Sequence, residues 1–214
     1  MIGQIIRNAQ CPRGTGLVPR VAVAMVIGGA LFVVAQIAIV ASAHANGADA
    51  LQQFSEGRHV LMIRHASAPG NGDPAHFQLR ECNTQRNLDD DGRAQARAIG
   101  RWLKARGITR AQVYSSQWCR CLETARLLGL GEPIELPALN SFYQKVEDRE
   151  PNLRALREFL AARATSNSPV VLVTHQVTIT AITGVYPASG EGVLIGRADA
   201  QESYAVKARF LFED

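Results

Sequence analysis

Acidic residues are missing from the first 45 positions of this 214-residue chain, although the whole carries 19 of them. The same stretch holds Arg7, Arg13 and Arg20, then an apolar run from Val21 to Val40 interrupted only by Gln36. No polar face recurs along it, which excludes the half-buried helix of a globular domain. A basic start, an apolar run and the small-x-small site Ala43-His44-Ala45 predict a secretory signal peptide over residues 1–45, cleaved after Ala45. The run also approaches the roughly 20 residues that span a bilayer, so an uncleaved signal anchor, touching membrane through residues 21–42, is the alternative. Either arrangement places residues 46–214 outside the cytoplasm: periplasmic or secreted, or anchored to the inner membrane.

Excess charge is equally scarce beyond that point. The full chain has a formal net charge of +4, but residues 46–214 carry 20 basic against 19 acidic side chains. The basic character belongs largely to the leader, and nucleic acid is excluded as the expected partner. Only three cysteines, Cys82, Cys119 and Cys121, fall in the exported part. An odd number in an oxidising compartment implies one disulfide and one free thiol. Cys119 and Cys121 are too close for easy mutual bridging within a helix, so Cys82 is expected to pair with one of them. Zinc is the weaker reading of the same residues. There is also no internal repeat and no low-complexity linker, which leaves one domain of 169 residues, enough for a sizeable core.

What is present is an alternation of strand-like and helix-like runs from Gly57 onward. Strands are predicted near His59–Arg64, Val113–Ser115, Ile134–Leu136 and Val170–Thr174, with two late edge strands over Gly192–Gly196 and Tyr204–Phe212. Helices are predicted from Asp89–Asp91 to Arg106, over Trp118–Leu128, Pro151–Ala164 and Gln176–Thr183. The expected fold is a three-layer α/β/α sandwich on a mostly parallel sheet. Asp89, Asp90 and Asp91 read as a helix cap and dipole partners rather than a metal cluster. The segment Ala68–Asp91 is a loop long enough to suggest function.

Two strand-like runs end in histidine: Val60-Leu61-Met62-Ile63-Arg64-His65 and Val170-Val171-Leu172-Val173-Thr174-His175. The carboxyl ends of parallel strands converge on one crevice, so His65 and His175 are candidates for a shared site. Further along the chain stand Arg86-Asn87-Leu88 with Gly92-Arg93-Ala94-Gln95-Ala96, and Ser115-Ser116-Gln117-Trp118-Cys119-Arg120 running into Glu123-Thr124-Ala125.

In this order, over about Val60 to Gly184, these pieces resemble the histidine phosphatase superfamily, also called phosphoglycerate mutase-like. The resemblance implies that His65 is a nucleophile forming a phosphohistidine, that Arg64 and Arg120 bind phosphate, and that His175 stabilises the transferring group. The residue types suit the chemistry: imidazole is largely neutral at pH 7 and attacks without prior deprotonation, and arginine forks match phosphoryl oxygens. No metal and no cofactor are implied. Arg86 either reaches a substrate phosphate or anchors the long loop through an acid. Arg93 reads as part of a solvated helix face, Glu123 as a local helical partner, and Thr124-Ala125 as packing.

The sequence departs from the family in its proton donor. Mutase-like members carry a glutamate in a Leu-Asn-Glu stretch, where this chain has Leu139-Asn140-Ser141; acid-phosphatase-like members carry an aspartate after the second histidine, where it has Gln176. Glu81, Glu147, Asp148 and Glu150 are the substitute candidates. The expected activity is an exported, metal-independent phosphatase acting on a small phosphorylated substrate, a sugar phosphate or a cell-envelope component. Within the superfamily the chain is most similar to small periplasmic members likened to lipopolysaccharide-core heptose-phosphate phosphatases, through the Cys82 loop and the Ser-Gln-Trp-Cys-Arg stretch. The missing donor motivates two alternatives: a phosphohistidine phosphatase, whose leaving group needs little protonation, and a non-catalytic phosphate-binding module.

Overall fold

The computed structural model of the chain describes residues 47–163, 167–198 and 204–213. The chain divides into two units, Met1–Ala43 and His44–Asp214, and all described residues belong to the second. The predicted leader and its cleavage position lie outside the described residues. Among those described, no helix is long and apolar enough to cross a membrane.

A six-stranded sheet forms the middle layer: β1 (Val60–Arg64), β2 (Gln112–Ser115), β3 (Ile134–Glu135), β4 (Val170–Thr174), β5 (Gly192–Ala198) and β6 (Tyr204–Phe210), in the order β3-β2-β4-β1-β5-β6. The first four of that order run parallel, and β5 and β6 are antiparallel additions. The helices are α1 over residues 47–55, α2 (Asp90–Ala105), α3 (Cys119–Leu128), α4 (Arg149–Ala162) and α5 (Gln176–Thr183).

Side chains alternate across a strand, and the two apolar clusters follow that alternation. Leu61, Ile63, Val113, Val171, Val173 and Leu194 face one side, where they pack with Phe54, Ile99, Trp102, Leu103, Ala125 and Leu128 of α1, α2 and α3. Met62, Tyr114, Val170, Leu172, Val193 and Ile195 face the other, against Leu156, Leu160 and Ile179 of α4 and α5. This is the expected three-layer sandwich. Strands buried on both faces read as continuous apolar runs, as β1 and β4 do.

Three expectations change. β5 is not an edge strand: it lies between β1 and β6, and only β6 is at that edge. Helix α1 falls before Gly57, ahead of the alternating pattern that the sequence shows. Glu123 pairs across helices with Arg93 at 3.2 Å, not within its own turn, and Arg93 also bonds Asp90 and the Leu88 carbonyl. Asp89 caps α2 by accepting from the Gly92 amide at 2.7 Å. Cys82 is bonded to Cys119, which removes the zinc reading of these cysteines, and Cys121 is free and buried.

Candidate active site

β1 and β4 are adjacent and in register, Arg64 opposite Thr174. The next residue of each strand is therefore a neighbour too, and the His65 amide donates to the Thr174 carbonyl at 2.9 Å. The two imidazoles meet edge to face with centroids 5.5 Å apart. They sit in a pocket of about 280 Å³ that is also lined by Arg64, Arg86 and Arg120.

His65 is 3% exposed. Its Nδ1 lies 2.8 Å from the carbonyl oxygen of Ala66, an acceptor only, so Nδ1 carries the proton and Nε2 carries the lone pair. Arg120 Nε donates to that Nε2 at 3.3 Å. Burial, then the Arg120 charge, pushes the His65 pKa down to about 3, so the ring is neutral at physiological pH. Thr124 holds the turn after it, accepting from the Ala66 amide at 3.1 Å and donating to the Arg120 carbonyl at 2.7 Å.

His175 is the N-cap of α5, and burial, then Arg120, holds its pKa well below the ordinary value. Its Nε2 lies 2.8 Å from Ser116 Oγ and 3.5 Å from Cys121 Sγ. Nδ1 is thus the nitrogen left for the pocket. Arg64, half-buried, donates to the Pro187 carbonyl at 2.9 Å, and its Nε is a buried donor without a partner among the described residues.

The long loop crosses the pocket and supplies Asp73, which sequence reasoning did not single out. Its carboxylate takes Arg120 in a fork, Oδ1 to Nη1 at 2.8 Å and Oδ2 to Nη2 at 3.1 Å, with both side chains almost wholly buried. It also accepts from the Arg86 amide at 3.0 Å and Trp118 Nε1 at 3.0 Å. Burial alone would raise its pKa; the Arg120 fork and the other donors outweigh that and bring it below the usual range. Arg86 anchors the loop, through the carbonyls of Gly72 and Ala68 and not through an acid side chain, and it also lines the pocket.

Glu81, Glu147 and Asp148 do not line this pocket. Glu81 precedes a short 3-10 turn at Cys82–Thr84, Glu147 and Asp148 lie in another at Val146–Asp148, and all are exposed. Glu150 is exposed and pairs with its neighbour Arg149. Asp73 is the only carboxylate among the described lining residues. Three guanidinium groups and one carboxylate leave a net charge of about +2, the charge that one phosphoryl dianion neutralises.

Residues 60–141 match the model of the histidine phosphatase superfamily, branch 1. No curated protein matches the chain by sequence. Among solved structures, the protein histidine phosphatase SixA complexed with tungstate aligns at 16% identity and a TM-score of 0.51, covering 71% of this chain and 96% of that one. Mycobacterial glucosyl-3-phosphoglycerate phosphatase complexed with VO3 aligns at 15% identity and a TM-score of 0.51, covering 71% and 98%. A SixA relative from Nakamurella multipartita aligns at 18% identity and a TM-score of 0.51, covering 71% and 95%. The matched segment, which carries Arg64, His65 and Arg120, is similar to the histidine phosphatase superfamily, and the sandwich fold and the paired strand-end histidines agree with that likeness.

Proposed function

We propose that this domain hydrolyses phosphate monoesters through a phosphohistidine on His65, without a metal, and that it works outside the cytoplasm. The observation that carries the reading is the unprotonated Nε2 of His65, facing Arg120 Nε at 3.3 Å beside a second buried histidine. Nε2 attacks phosphorus as the P–O ester bond breaks and the departing oxygen takes a proton from water; a second water then attacks phosphorus, the N–P bond breaks, and inorganic phosphate leaves with Nε2 restored. Arg64, Arg86 and Arg120 spread their charge over the phosphoryl oxygens, where charge is stabilised in transfer. His175 Nδ1 adds a pocket-facing nitrogen.

The space beyond the arginines exceeds a phosphoryl group. Its walls include Asn71, Ser141, Gln144 and Gln176, which are neutral hydrogen-bonding side chains, and the exposed rings of Tyr143 and Tyr186. These suit an uncharged hydroxylated leaving group, such as that of a sugar phosphate or cell-envelope component. The similar solved proteins are a protein histidine phosphatase and a glucosyl-3-phosphoglycerate phosphatase, which is consistent with phosphoryl hydrolysis. The leader and the Cys82–Cys119 disulfide support the extracytoplasmic location.

One observation favours a second reading. Asp73, the one carboxylate among the described lining residues, is already held by four donors. A phosphoramidate such as phosphohistidine, whose leaving group does not depend on a carboxylic acid, fits that arrangement. Rapid quenching with a labelled phosphate ester, and separately with a phosphohistidine peptide, is expected to leave acid-labile label on His65. An active His65→Ala variant overturns the reading. Phosphate or vanadate binding without turnover of any substrate indicates a binding module instead.

A further inference from the structure

Arg120 has five N–H donors in two usable forks, one formed by Nη1 and Nη2 at the end of the guanidinium, the other by Nε and Nη2 along its side. Asp73 fills the end fork with both oxygens, and the Arg86 carbonyl takes the second Nη1 hydrogen at 3.2 Å. Nε points at His65 Nε2, the atom that the proposed function makes the nucleophile. The side fork is therefore what the pocket receives.

Asp73 is itself fixed from two elements. Trp118 Nε1, immediately before α3, and the Arg86 amide each hold one of its oxygens. The Gln144 side chain pairs with its backbone, accepting from the Asp73 amide at 2.8 Å and donating to its carbonyl at 3.0 Å. Its segment is tied to the start of α3 by the Cys82–Cys119 disulfide and by the Cys119 amide donating to Gln85 Oε1 at 3.0 Å.

We infer that Asp73 is a positioning residue: it clamps the end fork of Arg120 so that the side fork meets the phosphoryl group on His65, and it stays in place when the anion binds. The inference rests on the phosphatase reading for its consequence in turnover, but its geometry can be tested without turnover. Clamping fixes one guanidinium in the orientation required while the phosphoryl group passes between oxygen and nitrogen. A carboxylate with four donors is not poised to give up a proton, so Asp73 does not act on the leaving group. The charged groups facing it are Arg120 from α3 and Arg86 from the loop, both cationic; His65, His175 and Arg64 complete the same pocket.

The test has two arms. In native protein, sodium vanadate is titrated while the side-chain N–H resonances of Arg120 Nε and Trp118 Nε1 are followed. Arg120 Nε is expected to shift strongly and Trp118 Nε1 to stay, since its acceptor is not displaced. A parallel shift of Trp118 Nε1 means that the anion has displaced Asp73, and overturns the inference. In the second arm, Asp73→Asn is compared in the native and Arg120→Gln backgrounds with 4-nitrophenyl phosphate and glycerol phosphate. The expected loss is about 10- to 100-fold, mainly in kcat and equal for both esters, falling to about 2-fold or less in the Arg120→Gln background because the two residues act as a unit. Equal losses in both backgrounds reduce Asp73 to a general structural role, and a loss confined to glycerol phosphate makes it a proton donor; either result rejects positioning. Should native protein show no His65-dependent turnover, the phosphatase reading fails, while the resonance arm still decides the placement of Asp73.

Discussion

Ser116 has one hydroxyl hydrogen and two acceptors within reach, His175 Nε2 at 2.8 Å and Asn140 Oδ1 at 3.2 Å. Asn140 Oδ1 already accepts from the Gln117 amide at 2.9 Å. Whichever way that hydrogen points, the hydroxyl engages Nε2 and leaves Nδ1 to face a phosphoryl oxygen, so Ser116 fixes the orientation of the ring. Ser116→Ala removes this hold on the ring without altering the charge of the pocket. Its turnover is expected to fall about 10-fold, and, because the buried hydroxyl also meets Asn140 and the Trp118 amide, stability is expected to fall by about 1–3 kcal/mol; steady-state kinetics beside a thermal melt checks both. Cys121, whose Sγ lies 3.5 Å from the same nitrogen, is buried, and burial pushes its thiol up to about 12. It is a neutral neighbour and not a thiolate. The histidine pair was legible because each imidazole follows directly from an apolar run. Asp73 was not, since it meets Arg120 across 47 positions and nothing periodic announces where an irregular loop folds back.

At the scale of elements, α2 and α3 approach so closely that a Cβ built on Gly100 would stand 2.1 Å from the Leu128 carbonyl oxygen. In an isolated helix, Gly→Ala stabilises by roughly 0.5–1 kcal/mol. Here the contact is backbone, which cannot rotate away, and overpacking of this kind costs about 1–3 kcal/mol. Gly100→Ala should therefore destabilise, with a lower denaturant midpoint; a higher midpoint would show that α3 can withdraw. The disulfide acts between elements too, joining the loop to the first residue of α3 across a sequence separation of 37. Paired Cys82→Ser and Cys119→Ser replacement is expected to cost about 2–4 kcal/mol and to open the Ala68–Asp91 segment to limited proteolysis. Helix α1 escaped sequence reading because its buried apolar anchors are just Ala50 and Phe54, too few for a periodic signal. The inner position of β5 escaped for another reason: strand order is set by the whole sheet and not by local pattern.

For the whole molecule, acidity is the informative variable. Burial lowers the pKa of His65 to about 3 and that of His175 and His59 below the ordinary value. Below pH ~6.5 the unfolded chain takes up protons on these rings that the folded chain refuses, so stability falls as pH drops from there. Asp73 and Glu191 have lowered values as well, and their contribution is lost only at lower pH, through the carboxylate range. Denaturation midpoints should already decline between pH 6.5 and 5, before carboxylates titrate. His65→Asn should flatten that slope by nearly one proton, about 1.4 kcal/mol per pH unit; an unchanged slope would mean that His65 is protonated in the folded state.

The matched register of β1 and β4 has a consequence for how such a protein can change. Because the two imidazoles stand on neighbouring rungs of a single ladder, their spacing is inherited from the sheet and owes nothing to the segments that arch over them. Those segments, around Asn71–Asp73 and Ser141–Gln144, can be rewritten or exchanged while the reacting pair keeps its distance, provided that Asp73 and the Gln144 that holds it stay to clamp Arg120. Choice of molecule and power to transform it are thereby largely separable inheritances, one carried by replaceable coverings and the other by the scaffold together with the single carboxylate that reaches down to it.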